Sequence, residues 1–360
     1  MSEFLPEELA VEILARLSMK DLARFKCVCK TWRDLINHRG FTERYRDISP
    51  AKFLSFYDKG FYLLDLEGKN KVITKLDFPL EHQSMIDESV CVLHCNGTLC
   101  VTLKNHTLMV WNPFSKLFKI IPNPGICRDS NIIGFGYDPV SDDYKVVTFI
   151  DRIDSSMAHV FEFRTSSWRG SVRIPCPDWH YRERRGTFFD QCLYWIAYRS
   201  NVDRFILCFD LSTDEYRKFP LPVYNQGVTC SWLGVTSQKI CITEYEPCEK
   251  EIWISVMEKT GSWNKIISLS MSNLITVQDR ICDDQVEFVA FTKKNDLVVT
   301  LTRCYDDIDT EYEKGTKKKV FLYKTGAETF EQVRLCNSLA GFRFLSEYVE
   351  TLVISNCIFI

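Results

Sequence analysis

The chain has 360 residues, 46% hydrophobic and 26% charged, with a formal net charge of -3. That length holds one large domain and one small one, and the mildly acidic balance argues against a general nucleic-acid binder, which would be basic. No run approaches the roughly 18–20 uninterrupted apolar residues of a membrane span.

The opening Met1-Ser2-Glu3-Phe4-Leu5-Pro6 has neither the basic start nor the apolar core of a secretory signal. An intracellular protein, in the nucleus, the cytoplasm or both, is the expectation, with no membrane or nucleic-acid partner. Sixteen cysteines are scattered along the chain, whereas a disulfide framework is short and cysteine-dense. Cys100, Cys192, Cys208, Cys241 and Cys336 sit in apolar runs, where a reduced cysteine acts as a small hydrophobe. Cys91, His94, Cys95 and Cys100 form the one crowded set, but the second ligand pair that zinc usually needs is missing. They read as the core of a hairpin, and no metal or cofactor is expected.

The first elements are helical. Pro6 suits a first helical turn, where its missing N–H has no intrahelical partner. Glu7, Glu8 and Glu12 lie near the end that the helix dipole makes favourable for negative charge. Leu9, Ile13 and Leu17 recur every four residues, with Ala10 and Leu14 beside them. Ser18 followed by Asp21 reads as a capping box that starts a second helix bearing Leu22, Phe25 and Val28. A third carries Trp32, Leu35 and Ile36. Three helices of this size bury little core and need a partner or the following domain. Periodicity alone leaves open whether they cap that domain or dock elsewhere.

Three features carry a resemblance to the F-box: the Leu5-Pro6 opening, the step Ile13-Leu14 to Leu17, and Lys20 through Ile36 with Arg24-Phe25, Val28 and Trp32. The resemblance implies a module spanning residues 1–46 that docks on a Skp-type adaptor, and through it a cullin, in a ubiquitin ligase. By the same resemblance the adaptor-facing residues are Leu5, Pro6, Ile13, Leu14, Leu17, Val28, Trp32, Leu35 and Ile36. Aliphatic and aromatic anchors of this kind suit an interface core. Two departures are visible. Ser18-Met19 replaces the family's frequent proline dipeptide, and Cys29 stands where serine is common, which weakens a helix cap. Neither removes an apolar contact.

From Phe53 the texture becomes short apolar runs separated by turns. A half-unit of strand, tight turn and aromatic-led strand recurs, the aromatics being Phe118, Trp168, Tyr216, Trp263 and Phe330, spaced 50, 48, 47 and 67 residues apart. That period fits propeller blades of four strands. A hairpin precedes each of these half-units, the first turning at Asn96-Gly97, a strong hairpin signal. The half-unit at 53–76 lacks such a hairpin, and a final hairpin at 341–355 lacks a half-unit. Joined, they close a ring of six blades with no unpaired inner edge. The expected fold is therefore α+β and multidomain: a small three-helix module at 1–46, then an all-β propeller at 47–360. A β-sandwich would explain the strands but not the period.

The same region resembles the F-box-associated interaction domain of plant F-box proteins. The matching segments are Trp111-Asn112-Pro113, Gly134 through Pro139, Asp143 through Val147, Leu193-Tyr194-Trp195, Phe209 through Ser212 and Glu251-Ile252-Trp253. The resemblance implies that this domain recruits the target protein. Strand order places first-to-second and third-to-fourth turns on one face of the ring. Long insertions, at 123–131, 151–158, 175–185, 221–229, 271–285 and 303–318, fall on the other. Long loops on a rigid scaffold favour recognition. Trp179, Tyr181, Arg182, Arg184 and Arg185 are the candidate target-binding residues, since aromatics and arginine are enriched at hot spots. A second segment, from Tyr305-Asp306-Asp307 to Lys317-Lys318-Lys319, runs from acidic to basic.

The expected function is that of a non-catalytic, target-selecting ligase subunit. The alternatives are a scaffold that binds the adaptor without delivering a target, and a propeller enzyme. No Walker loop, His-Glu-x-x-His or Gly-x-Ser-x-Gly supports an enzyme.

Overall fold

The computed structural model describes residues 6–49, 52–66, 72–86, 91–122, 132–152, 155–174, 180–181, 185–198, 204–222, 230–236, 239–246, 249–270, 285–292, 296–305, 315–333, 345–348 and 350. Four helices come first: α1 (Glu7–Leu14), α2 (Met19–Phe25), α3 (Lys30–Asn37) and α4 (Arg39–Ile48). Ser18 caps α2 as its sequence implied: its hydroxyl accepts from Asp21 N at 3.2 Å and donates to Asp21 Oδ2 at 2.6 Å. Cys29 caps α3 through its sulfur, which accepts from Trp32 N at 3.4 Å. The helix α4 is an addition to the three expected. Its sequence is mostly polar, but Phe41 and Tyr45 stack and are buried with Leu14, Ala15, Met19, Leu22, Leu35 and Ile36.

Six antiparallel sheets follow as blades. Blade 1 joins Leu345–Tyr348 to Lys52–Tyr57, Gly60–Asp65 and Val72–Leu76. Blade 2 is Val92–Cys95, Thr98–Thr102, Leu108–Trp111 and Phe118–Ile121. Blade 3 is Ile132–Asp138, Asp143–Arg152, Ser155–Glu162 and Ser167–Ile174. In blade 4, Thr187–Phe189 and the short His180–Tyr181 both pair with Cys192–Tyr198, followed by Arg204–Asp210 and Tyr216–Pro220. Blade 5 is Cys230–Thr236, Lys239–Glu246, Glu251–Met257 and Trp263–Ser270. Blade 6 is Gln285–Phe291, Leu297–Tyr305, Gly315–Lys324 and Thr329–Val333. One apolar cluster fills each of the six seams between neighbouring blades.

The ring closes within blade 1, but among the described residues it does so with one C-terminal strand and three N-terminal ones. The sequence pattern implied two and two. The difference lies at Asp58-Lys59, where both residues adopt positive φ, 43° and 56°. That conformation makes a type I′ turn, usually marked by glycine or asparagine. Without that mark the strand Lys52–Tyr57 merges with its successor in a sequence reading. A second difference is at 151–158. Asp151, Arg152 and Ser155–Ala158 extend a hairpin instead of forming a loop.

The recurring aromatics tie blades together. Trp168 Nε1 donates to Pro122 O at 2.6 Å, and Trp263 Nε1 to Pro220 O at 2.8 Å. In each case the outer strand of one blade is latched to the end of the preceding blade's outer strand. The seam between blades 3 and 4 consumes most of the family-like motif. A Cβ on Gly134 would meet Leu193 and Trp195 at 2.7 Å, and one on Gly136 would meet Phe188 at 2.4 Å. Only glycine lets the strands approach this closely. Beside them Lys145 Nζ donates to Asp138 Oδ2 at 2.8 Å and to Leu211 O at 2.6 Å, while Ser212 Oγ donates to Asp138 Oδ1 at 2.6 Å. Although burial raises it, these donors hold the Asp138 carboxyl well below the usual carboxylate range.

Candidate docking surfaces

The helical module is fastened to the short-turn face of the ring. Phe114, in the turn between the third and fourth strands of blade 2, packs against the helical core. Asn112 shapes that turn by accepting from Phe114 N and Ser115 N, both at 3.0 Å. Glu350, just beyond the closing strand, accepts from Lys52 Nζ at 2.5 Å and from Tyr45 of α4 at 3.5 Å. Lys52 opposes Tyr348, so this end of blade 1 lies on the same face as the first-to-second turns of the other blades. The long-loop face therefore points away from the helices.

The helices divide the expected adaptor residues into two groups. Leu14 (1% exposed), Leu35 and Ile36 are buried in the helical core, and Leu17 and Trp32 are half-buried against it. Pro6 is exposed, Ile13 is 52% exposed and Val28 is 62% exposed. Leu5 lies outside the described residues. Leu9, absent from the expected set, is 53% exposed and stands one turn before Ile13 on α1, so the two form one apolar strip. The helical period signalled Leu9, but only the packing shows that its side faces outward.

Of the expected target-binding residues, Trp179, Arg182 and Arg184 lie outside the described residues. Tyr181 lies in the short strand that pairs with Ala197. Arg185 is half-buried at the base of this segment, bridging to Ile133. The neighbouring rim, between blades 4 and 5 on the long-loop face, holds a charged group that sequence reading missed. Glu244 opposes Ser231 and Trp253 in register and is 3% exposed, and among the described residues its Oε2 has no hydrogen-bond partner. Burial pushes its carboxyl up to about 7, against the opposing pull of Arg204 and Lys265. Lys265 Nζ sits 4.3 Å from the Trp253 ring centroid, a cation–π arrangement.

Elsewhere, His94 is driven down to about 4 by burial at the ring closure, where it meets Tyr348 edge-on. Among the described residues no three His, Cys, Asp or Glu side chains gather as metal ligands, and no helix is long and apolar enough to cross a membrane.

These features define a class: a compact helical module carried on the short-turn face of a closed six-bladed propeller. Comparison with known proteins narrows it. Residues 3–44 match the F-box domain, and residues 52–354 match the F-box associated beta propeller domain. The chain belongs to the family of F-box proteins with an F-box-associated β-propeller. It is 78% identical, over the full length of both chains, to the Arabidopsis thaliana "Putative F-box protein At3g16210". It is 27% identical to the Arabidopsis thaliana "F-box/kelch-repeat protein At3g23880", covering 74% of this chain and 79% of that one.

Proposed function

We propose that this chain is the non-catalytic, target-selecting subunit of a Skp–cullin–F-box ubiquitin ligase. Residues 1–46 dock on a Skp-type adaptor, and the propeller, residues 47–360, holds a target protein on its long-loop face. The observation that carries this reading is the outward apolar strip of Leu9 and Ile13, with exposed Pro6 and Val28, on a module whose own core is complete without them. Fastening of that module to the short-turn face supports the division of labour, because the adaptor and the target then approach from opposite sides. Leu14, Leu35 and Ile36 serve by holding the helices, and Leu17 and Trp32 serve at the edge of both groups. Trp179, Tyr181, Arg182, Arg184 and Arg185 are proposed for the target side.

The test is binding of the purified full chain to a purified Skp-type adaptor. Wild type binds. Ile13→Asp, which places an unpaired charge in an apolar interface, weakens binding at least about 100-fold, a cost of roughly 3 kcal/mol, while the chain stays folded. Leu14→Asp instead disrupts the helices themselves. A folded wild type that does not bind, or an Ile13→Asp chain that binds as wild type does, overturns the adaptor reading. Triple replacement of Arg182, Arg184 and Arg185 by alanine should reduce target capture and leave adaptor binding unchanged.

A further inference from the structure

The pair of helices α2 and α3 places its charges against its own local interest. From Lys20 to Asp34 the sequence holds five cations, Lys20, Arg24, Lys26, Lys30 and Arg33, against two acids, Asp21 and Asp34, although the chain as a whole carries -3. Lys20 lies in the first turn of α2 and Lys30 opens α3, where the helix dipole disfavours positive charge. Arg24 follows Lys20 by one turn and Arg33 follows Lys30 by one turn, so each helix also sets like charges side by side. The acids do not offset this. Asp21 is taken up by the Ser18 hydroxyl at 2.6 Å and by Arg24 at 3.3 Å, and Asp34 makes no ion pair with Lys30. Among the described residues Lys20, Lys30 and Arg33 have no ion-pair partner, and all three are exposed, as is Arg24.

Between these two rows of cations stands Val28, 62% exposed, on the connection from α2 to α3. The connection is held in place. Val28 N donates to Phe25 O at 3.1 Å, Trp32 N donates to Cys29 Sγ at 3.4 Å, and the Phe25 and Trp32 rings meet edge-on at 5.2 Å. Attachment to the propeller runs instead through Tyr45 of α4 and through Phe114, so the basic surface stays open. We propose that an acidic segment of the adaptor docks on this surface. Docking then has two parts: apolar anchoring by Leu9, Ile13 and Val28, and ionic capture by Lys20, Arg24, Lys30 and Arg33. The proposal deepens the adaptor reading and rests on it. An apolar residue ringed by exposed charges has the form of an interface core with a polar rim. Carboxylates arriving from a partner relieve both the dipole conflict and the like-charge rows, which no group within the helices does. Because the rest of the chain is net negative, an acidic partner is repelled elsewhere and drawn in here, which orients the encounter.

The experiment measures association and dissociation rates of the full chain with a purified Skp-type adaptor across a range of salt. Three proteins are compared: wild type, the triple variant Lys20→Gln/Lys30→Gln/Arg33→Gln, and a control that removes three exposed cations from the propeller, Lys75→Gln/Arg217→Gln/Lys259→Gln. At about 50 mM salt the helical variant should associate about tenfold more slowly, with dissociation within about twofold of wild type, and the difference should fade by about 0.5 M. Its unfolding midpoint should be no lower than that of wild type, since the substitutions remove cations from unfavourable positions, so slower association does not come from a damaged fold. The control should associate within about twofold of wild type. If wild type binds but both triple variants slow equally, or neither slows, the ionic part is overturned while the adaptor reading stands. If folded wild type does not bind the adaptor, both fall together. Capture of a short DNA duplex that the helical variant loses, with adaptor rates unchanged, would assign the surface to nucleic acid and also overturn the proposal.

Discussion

Glu244 allows a sharp test of how the rim between blades 4 and 5 is built. Replacing it with glutamine keeps the shape and removes the charge. In the folded chain the carboxyl titrates near 7, against 4.5 for an ordinary glutamate. At about 1.4 kcal/mol for each tenfold change in proton affinity, that gap makes the ionised form cost about 3 kcal/mol more in the fold than in the unfolded chain. Because the folded value is raised, the cost is absent below the unfolded value, grows as pH climbs from 4.5 toward 7, and is constant above that. The groups facing the carboxyl are Arg204 and Lys265, with Ser231 and Trp253 on its own rung. The two cations already oppose the shift, so the figure is net of them. Denaturant unfolding followed by tryptophan fluorescence, at about pH 5 and about pH 8.5, measures the difference. Glu244→Gln should equal wild type within roughly 1 kcal/mol at the lower pH and exceed it by about 2–3 kcal/mol at the higher. An advantage that is the same at both pH values, or that shrinks on going alkaline, would refute the argument.

Other perturbations probe the seams and the junction. Gly136→Ala forces a Cβ to within 2.4 Å of Phe188 and 2.7 Å of Leu211. It should lower stability by about 1–3 kcal/mol, read as a fall in the unfolding midpoint. Lys145→Met leaves the buried Asp138 carboxylate without its cation and should cost about 3–5 kcal/mol at neutral pH. Asp138 is depressed in the fold, so its stabilising pairing is present above its ordinary value of 3.8 and is lost as pH falls through the lower folded value. The deficit of Lys145→Met should therefore narrow in acid, as an unfolding series across pH would show. Phe114→Asp removes the propeller's apolar contact with the helical core and should make the segment between Ser49 and Lys52 sensitive to limited proteolysis at protease levels that leave wild type whole.

The architecture was legible because its signals are local. Asn96-Gly97 adopts positive φ at both positions, 45° and 69°, the type I′ turn that its composition announced. The aromatic-led strands recur with the blade period because each aromatic anchors an outer strand, twice through an indole N–H to a proline carbonyl. What failed were elements whose defining feature is not written in residue type. Asp58-Lys59 turns without glycine, which hid a strand, and α4 buries Phe41 and Tyr45 within a mostly polar sequence. The burial of the helix residues was half legible for a related reason. Leu14 and Ile13 are adjacent apolar residues in one helix, and nothing in the pattern says that the first is enclosed and the second faces out. Glu244 was invisible because its significance depends on register across three strands and on a neighbouring blade.

That register also explains why the most recognisable residues are poor guides to the target. Gly134, Gly136, Asp138, Lys145, Leu193, Trp195, Leu211 and Ser212 converge on one seam, where close backbone approach and a buried ion pair leave little freedom to vary. A residue fixed by such packing cannot also be tuned to a partner without loss of the fold, since a buried ion pair broken on one side is more costly than none. The seam between blades 4 and 5 holds a different kind of group, the buried Glu244 carboxyl, whose ionised form the fold disfavours. A buried charge without a close ion-pair partner is costly, and this one is relieved by protonation near pH 7, whereas the Asp138–Lys145 pair on the other side of blade 4 stays charged down to strongly acidic pH. The two seams that flank blade 4 therefore respond differently to pH: the first keeps its ion pair while the second changes charge.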